Sequence, residues 1–194
     1  MRIAPASFIS AILDIVPIYI VNIRQANKND AKALLNFLKE LSAENCNTIT
    51  AFETLPSLEQ EINWLNSKDG ENGIVFIAHS ENEIIGMLDA SIPSKKEFNH
   101  TCEFGMSVHV NHRRKGIGRQ LIEKLIIWAK KVELEIIELN VFSNNKAGIK
   151  LYEKLGFKID GKKRNYIKRN GNYLDLLHMA KELGLINKIR RTVT

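Results

Sequence analysis

The sequence predicts one domain of the α/β (α+β) class, a mixed, mostly antiparallel central sheet with one parallel strand pair, flanked by helices. Three observations carry this expectation. First, residues 103–129 change hydrophobic period. Phe104, Met106, Val108 and Val110 alternate with Gly105, Ser107 and His109 as in a strand. From Ile117 onward, Leu121, Ile122, Leu125, Ile126 and Ala129 share one helical face, with Arg119, Glu123, Lys124 and Lys130 off it. Second, residues 136–142, IIELNVF, read as another strand. A strand–helix–strand unit of this kind makes its two strands parallel, joined by a right-handed crossover. Third, two antiparallel hairpins are written into the chain. Residues 74–79 and 84–92 flank the turn 80–83, and 164–169 and 172–180 flank Asn170-Gly171.

In chain order, residues 1–20 form an apolar extension interrupted by Asp14 and Pro17. It lacks a small-x-small cleavage site and is too short to span a bilayer, so no role is assigned to it. Residues 18–24 alternate as a strand, and Asn29 or Asp30 is the expected cap of a helix carrying Ala31, Leu34, Leu35, Leu38 and Leu41. Residues 42–54 are polar and aperiodic, a loop or short helix. Ser57-Leu-Glu-Gln starts a second helix over 58–66, ending before Lys68-Asp-Gly. Residues 93–99 connect the first hairpin to the central strand. Ser143-Asn-Asn precedes a helix over 147–155, which Gly156 stops. Residues 157–160 begin the strand that leads into the last hairpin. The domain is expected over 21–181, with 182–194 a basic tail.

A chain of 194 residues suffices for one such domain, and 44% hydrophobic with 26% charged residues is ordinary globular composition. Cys46 and Cys102 are far apart, and His109 and His112 have no carboxylate or cysteine completing a set, so neither a disulfide framework nor a metal site is expected. The chain reads as cytoplasmic, with no membrane partner. The net charge of +6 admits a polyanion, but at 7% aromatic residues no stacking stripe interleaves the basic ones, so nucleic acid ranks last among the partners considered.

The polar turn 111–118 joins a strand to a helix, a layout that offers phosphates the unpaired N–H groups and positive dipole end of the first helical turn. Gly116 and Gly118 let backbone approach a phosphate, and Arg113, Arg114, Lys115 and Arg119 surround the position with charge. Neither G-x-G-x-x-G nor G-x-x-x-x-G-K-[ST] is present.

Residues 108–125, VHVNHRRKGIGRQLIEKL, resemble the acetyl-CoA-binding motif of the GNAT superfamily of N-acetyltransferases, [QR]-x-x-G-x-[GA], filled by Arg113, Gly116 and Gly118. Residues 144–158 resemble the family's N-x-x-A-x-x-L-Y-x-K-x-G-F stretch through Asn144, Ala147, Leu151, Tyr152, Lys154, Gly156 and Phe157. The ending 168–179 is similar to the closing hairpin of many members, and the resemblance covers roughly residues 22–181. One departure is visible: Val110, Asn111, His112, Arg113, Arg114 stand where members often carry Pro-x-Tyr-Arg-Gly.

The resemblance implies a cosubstrate, acetyl-CoA, with no metal. Its pyrophosphate would meet the backbone from Arg114 through Lys115, Gly116, Ile117 and Gly118 to Arg119, and its pantetheine arm the central strand near Met106 and Val108. The parallel pair would then splay apart beyond Val108, and Gly105 is compatible with a bulge there. Tyr152 is the candidate general acid, Glu103 the candidate base, directly or through water, and Asn144 a cofactor or water ligand. Glu53 is a candidate contact for a cationic substrate. The loops 42–56 and 93–101 carry Glu44, Glu53 and Glu97 beside Lys95 and Lys96, so neither sign of charge dominates. The expected reaction is direct acetyl transfer to a primary amine of a small molecule or peptide. The alternative is a CoA-binding sensor or complex subunit without catalysis, and a homodimer is compatible with either.

Overall fold

The computed structural model describes residues 21–44, 54–80, 83–169 and 171–184. Cys46, Glu53, the extension 1–20 and the tail from 185 lie outside them. Strand β1 (Asn22–Gln25) leads to a tight turn and helix α1 (Ala31–Ala43). Asp30 is the N-cap position of α1, one of the two expected, but its side chain makes no capping bond to that helix; the 3-10 turn that leads in is capped by Asn27. Its side chain accepts from the Asn29 N–H (3.0 Å), and its own N–H donates to Asp30 Oδ2 (2.8 Å). Asp30 also accepts two hydrogen bonds from the Arg24 guanidinium, at 2.6 and 2.8 Å, which lower its pKa and occupy it in the turn.

Helix α2 (Leu58–Ser67) begins with the expected capping box: Ser57 Oγ accepts from the Gln60 N–H and Gln60 Oε1 accepts from the Ser57 N–H. Strands β2 (Gly73–Ser80) and β3 (Glu83–Ser91) form the first hairpin. Strand β4 (Thr101–Val108) stops two residues before Val110, which enters a short 3-10 turn and donates its N–H to Glu44 Oε1 (3.0 Å). Helix α3 (Ile117–Lys131), strand β5 (Ile136–Phe142) and helix α4 (Lys146–Lys154) follow, with Gly156 at φ +86° ending the last helix. Strands β6 (Lys158–Arg169) and β7 (Asn172–Glu182) close the chain. Lys181 and Glu182 belong to β7, paired with Ile137 and Ile136, and not to a tail.

The sheet order is β1-β2-β3-β4-β5-β7-β6, and β4–β5 is the one parallel pair among the described residues. Helices α3 and α4 cover one face, over a core that includes Leu88, Phe104, Leu121, Leu125 and Ile137. Helices α1 and α2 cover the other, over Leu34, Leu38, Leu65, Val75 and Ile77.

The parallel pair separates earlier than the sequence suggests. Only Thr101↔Ile136, Cys102↔Ile137 and Glu103↔Glu138 are in register. Beyond them β4 stays with β3 as far as Gly86↔Val108, while β5 stays with β7 as far as Phe142↔Leu176. Phe104, the first residue past the pairing, sets its ring against Tyr152 and Phe157, with centroids 6.0 and 5.8 Å away. That aromatic contact fills the opening from the α3/α4 face. The bulge expected at Gly105 is absent, for the β3–β4 register runs through it unbroken. A Cβ at Gly105 would lie 3.1 Å from Asp89 Oδ1, so this glycine makes room for a carboxylate.

Replacing the α2 cap tests how firmly that helix is held. Ser57→Ala is expected to cost about 0.5–2 kcal/mol in denaturant unfolding, and an unchanged midpoint would show that packing alone sets the helix start.

Candidate active site

The backbone of β4 presents alternate residues to its two sides. The His109 N–H donates to the Ile85 carbonyl (2.9 Å), so residues 105 and 107 face β3, while Phe104, Met106 and Val108 turn their N–H and C=O groups to the gap. One of these is already engaged: the Val108 carbonyl accepts from Arg113 Nε at 2.9 Å.

At the far end of β4 the chain turns through two left-handed residues, Arg114 (φ +65°) and Gly116 (φ +81°), into α3. No side chain caps this helix, and its first internal bond runs from the Gln120 N–H to the Gly116 carbonyl. The N–H groups of Ile117, Gly118 and Arg119 therefore have no acceptor within the helix. A Cβ at Gly118 would lie 3.2 Å from both Met106 Cε and Leu151 Cδ2. This glycine thus lets the helix start close against β4 and α4.

The four basic residues of the turn do not act as one set. Arg113 is ion-paired with Glu44, 69 residues away, and with its Val108 bond it fastens the turn to α1. Arg119 pairs with Glu123 at 2.8 Å on the helix surface. Arg114 and Lys115 are exposed beside the open helix end, and Ile117 is buried.

A cleft of about 940 Å³ opens where β4 and β5 part. Tyr152 lines it from α4, almost fully buried, with burial pushing its phenol up to about 12. Glu103 stands exposed on the opposite face, where its Oε1 accepts from Asn140 Nδ2 at 2.7 Å. Asn144 is exposed and does not line the cleft. Its neighbour Asn145 does, while its side-chain oxygen accepts from the Gly148 N–H (3.0 Å) and caps α4. Cys102 is fully buried, with its thiol pushed up to about 12 by the same desolvation, which leaves no thiolate for nucleophilic attack.

Sequence reasoning missed two carboxylates that line this cleft, Glu61 on α2 and Asp89 on β3. The signal was there. Glu61 lies four residues before Leu65 on the buried stripe of α2, and Asp89 interrupts an otherwise apolar strand. Burial raises the pKa of Glu61, helped by the charge of Asp89; burial likewise raises Asp89, against the opposing charge of Lys68. The Lys68 ammonium donates to Ser91 Oγ, and its own pKa is lowered by burial. The loop charges contribute differently from expectation, because Glu44 is spent on Arg113 and Lys95 and Lys96 are exposed.

Among the described residues no group of three or more His, Cys, Asp or Glu is placed to hold a metal ion, and no helix is long and apolar enough to cross a membrane.

A parallel pair that parts beside an uncapped glycine-led helix defines an acyltransferase-like architecture, and the comparison with known sequences agrees. The profile of the Acetyltransferase (GNAT) family matches residues 35–157, and the chain belongs to that family. An L-amino acid N-acetyltransferase of Escherichia coli, AaaT, is 30% identical over 107 residues, 55% of this chain and 66% of that one. The chain spans about half to two thirds of the length of the first curated relatives it matches. A GNAT-family acetyltransferase structure from Streptococcus pneumoniae superposes with a TM-score of 0.80 at 26% identity, over 84% of this chain and 99% of that one. An acetyltransferase structure from Salmonella typhimurium, solved with its cofactor acetyl-CoA, shares the fold with a TM-score of 0.76 at 24% identity, over 84% of this chain and 94% of that one.

The buried acid gives a stability test with a definite sign. A folded Glu61 holds its proton to higher pH than an unfolded one, so stability is lost as pH rises from the ordinary carboxylate value, about 4, through the raised one. Glu61→Gln removes that loss. Its melting temperature should exceed wild type at neutral pH and match it in acid below the ordinary value; a lower melting temperature at neutral pH would show that the carboxylate is stabilising.

Proposed function

We propose that this protein is an acetyl-CoA-dependent N-acetyltransferase, moving an acetyl group to a primary amine of a small molecule or peptide by direct transfer. The observation that carries this reading is the gap between β4 and β5, which has an uncapped helix N-terminus at one end and the Tyr152 phenol in its wall. The named activity of the Escherichia coli relative and the acetyl-CoA bound by the Salmonella protein support it.

The residues present fit acetyl-CoA. Free N–H groups of residues 117–119, with the exposed Arg114 and Lys115, suit a pyrophosphate. Arg119 joins them by releasing Glu123, and Arg113 acts through the turn that it fastens to Glu44. The gap-facing groups of Met106, with the Val108 N–H, suit an amide-bearing arm added as a strand. Acetyl-CoA supplies the acetyl group as a thioester, and the thiol departs.

The chain's own groups then manage protons. Tyr152, its pKa near 12, stays protonated at neutral pH and can donate to a thiolate, whose ordinary pKa is about 8.5. Glu103, oriented through Asn140, can take the proton of the attacking amine, directly or through water. Asn145 caps the helix that carries Tyr152, which leaves to Asn144 a contact with the cosubstrate from outside the cleft.

The test is thiol release from acetyl-CoA against a panel of primary amines; release with none of them, in a folded protein that still binds CoA, would leave a CoA-binding module instead. The donor half is probed by Gly118→Asp, which puts bulk and negative charge at the open helix end, with Gly118→Ala controlling for the crowding of Met106 and Leu151. Calorimetry should show CoA affinity lost in Gly118→Asp and largely kept in Gly118→Ala. Equal affinities would place the phosphates elsewhere.

Tyr152→Phe keeps the ring packed on Phe104 and Phe157 while removing the proton. We expect kcat to fall by roughly 10²–10⁴ with little change in the acetyl-CoA KM. An undiminished kcat would make Tyr152 a packing residue.

A further inference from the structure

The acceptor half of the cleft contains a group that nothing in the fold explains. Glu61 is 3% exposed, lines the cleft, and its Oε1 has no hydrogen-bond partner. A buried carboxylate oxygen without a partner is costly and rare, and it calls for a ligand. The second acid, Asp89, lines the same wall. Gly105, standing opposite Asp89 in register, has no side chain to screen that carboxylate from the gap.

The charge balance of this wall is one-sided. Of the residues that line the cleft, Glu61, Asp89 and Glu103 are acidic, and none is Lys, Arg or His. Lys68, bonded to Ser91, which itself lines the cleft, offsets one of the three charges. Leu38, Leu55, Trp64 and Met87 supply apolar surface between the acids. An apolar stem with a cationic end is the ligand that such a wall suits.

We infer that Glu61 and Asp89 form an ammonium subsite, and that the acceptor is an aliphatic amine carrying a second cationic nitrogen and no carboxylate. This rests on the transfer reading only for where the first amine reacts, beside Glu103. The spacing is consistent. Asp89 faces Gly105, two residues along β4 from Glu103, a diagonal of roughly 7–8 Å between backbone positions. Two nitrogens joined by four methylenes are about 6 Å apart when extended, and side chains of this length take up the remainder. One ammonium thus reaches Glu61 and Asp89 while the other nitrogen lies at the gap. An α-amino acid instead brings its own carboxylate to the same wall, where no cation lines the cleft to receive it.

The test uses the full chain and three probes with one chain length: putrescine, n-butylamine and γ-aminobutyrate. Calorimetry at neutral pH, with CoA present, reads binding without any transfer. Putrescine should bind about tenfold or more tightly than n-butylamine, with γ-aminobutyrate weakest, because a charge-assisted pair is worth more than an apolar methyl contact. Glu61→Gln and Asp89→Asn, both near-isosteric and checked for folding by melting temperature, should each collapse the putrescine preference to about threefold or less. The inference is overturned if the three probes bind alike, if γ-aminobutyrate binds best, or if the preference survives both substitutions. Thiol release with the same probes separates the two readings. Preferential putrescine binding without release from any amine supports the subsite and removes the transfer reading. Equal release from putrescine and n-butylamine, without a binding preference, does the reverse.

Discussion

The parting of β4 from β5 after Glu103 is the constraint on which the rest of this structure depends. Past that point each strand keeps its outer partner, β3 for one and β7 for the other, so only the inner groups go unpaired. Backbone groups left in that state must find partners. The protein itself supplies one, the Arg113 guanidinium at the Val108 carbonyl, and leaves Met106 open. Phe104, Tyr152 and Phe157 keep the opening from closing on the α3/α4 side, with centroids about 6 Å apart around the trio. On the α1/α2 side Gly105 keeps it clear. The gap is therefore an opening between two strands of the sheet, walled by aromatic rings on one face and by the carboxylate-bearing cleft on the other.

Most of the fold was legible in the sequence because it is written locally. The strand 136–142 and the start of α3 at Ile117 coincide with the periodicity, and the Ser57–Gln60 box and the Asn170-Gly171 turn are short-range signals. What was not legible depends on contacts far apart in the chain. Where parallel pairing stops is decided by β3, β7 and an aromatic contact from α4, so the splay was placed five residues too late. The pairing of Arg113 with Glu44 was not legible because its partner is 69 residues upstream. Asn144 and Asn145 are adjacent and chemically identical, and only the helix start distinguishes the exposed one from the cap. Asp30 holds the N-cap position of α1 without a capping bond to that helix, because its carboxylate is committed to Arg24 and to the Asn27 N–H.

Glu61 and Asp89 show a different limit. Both break the hydrophobic pattern of the element that carries them, and a pattern reading treats such breaks as noise. Physically they are the more informative residues. A buried acid weakens the folded state at neutral pH, and a fold that retains Glu61, with its unpartnered oxygen, beside the half-buried Asp89 places a cost where an incoming cation would relieve it. Tyr152 belongs to the same category, a polar group held in an apolar trio, with its proton kept on by burial.

The two faces of the gap also differ in sign. Exposed Arg114 and Lys115 stand by the open end of α3, while Glu61, Asp89 and Glu103 line the cleft toward α2. A polyanionic donor and a cationic acceptor would attract each other in solution and bind each other's sites if both were presented on one surface. On the proposed reading, separating the charges would let one end of the gap attract the donor and the cleft wall the acceptor. The net charge of +6 does not express this, because it sums over both faces. On the proposed reading the carbonyl and the amine would meet at the gap, where Met106 keeps its backbone groups open and both Tyr152 and Glu103 line the cleft. The strand separation that opens the sheet thus also orders the groups along it: the open amides of α3, the Tyr152 phenol, the Glu103 carboxylate, and then Glu61 and Asp89 in the cleft wall.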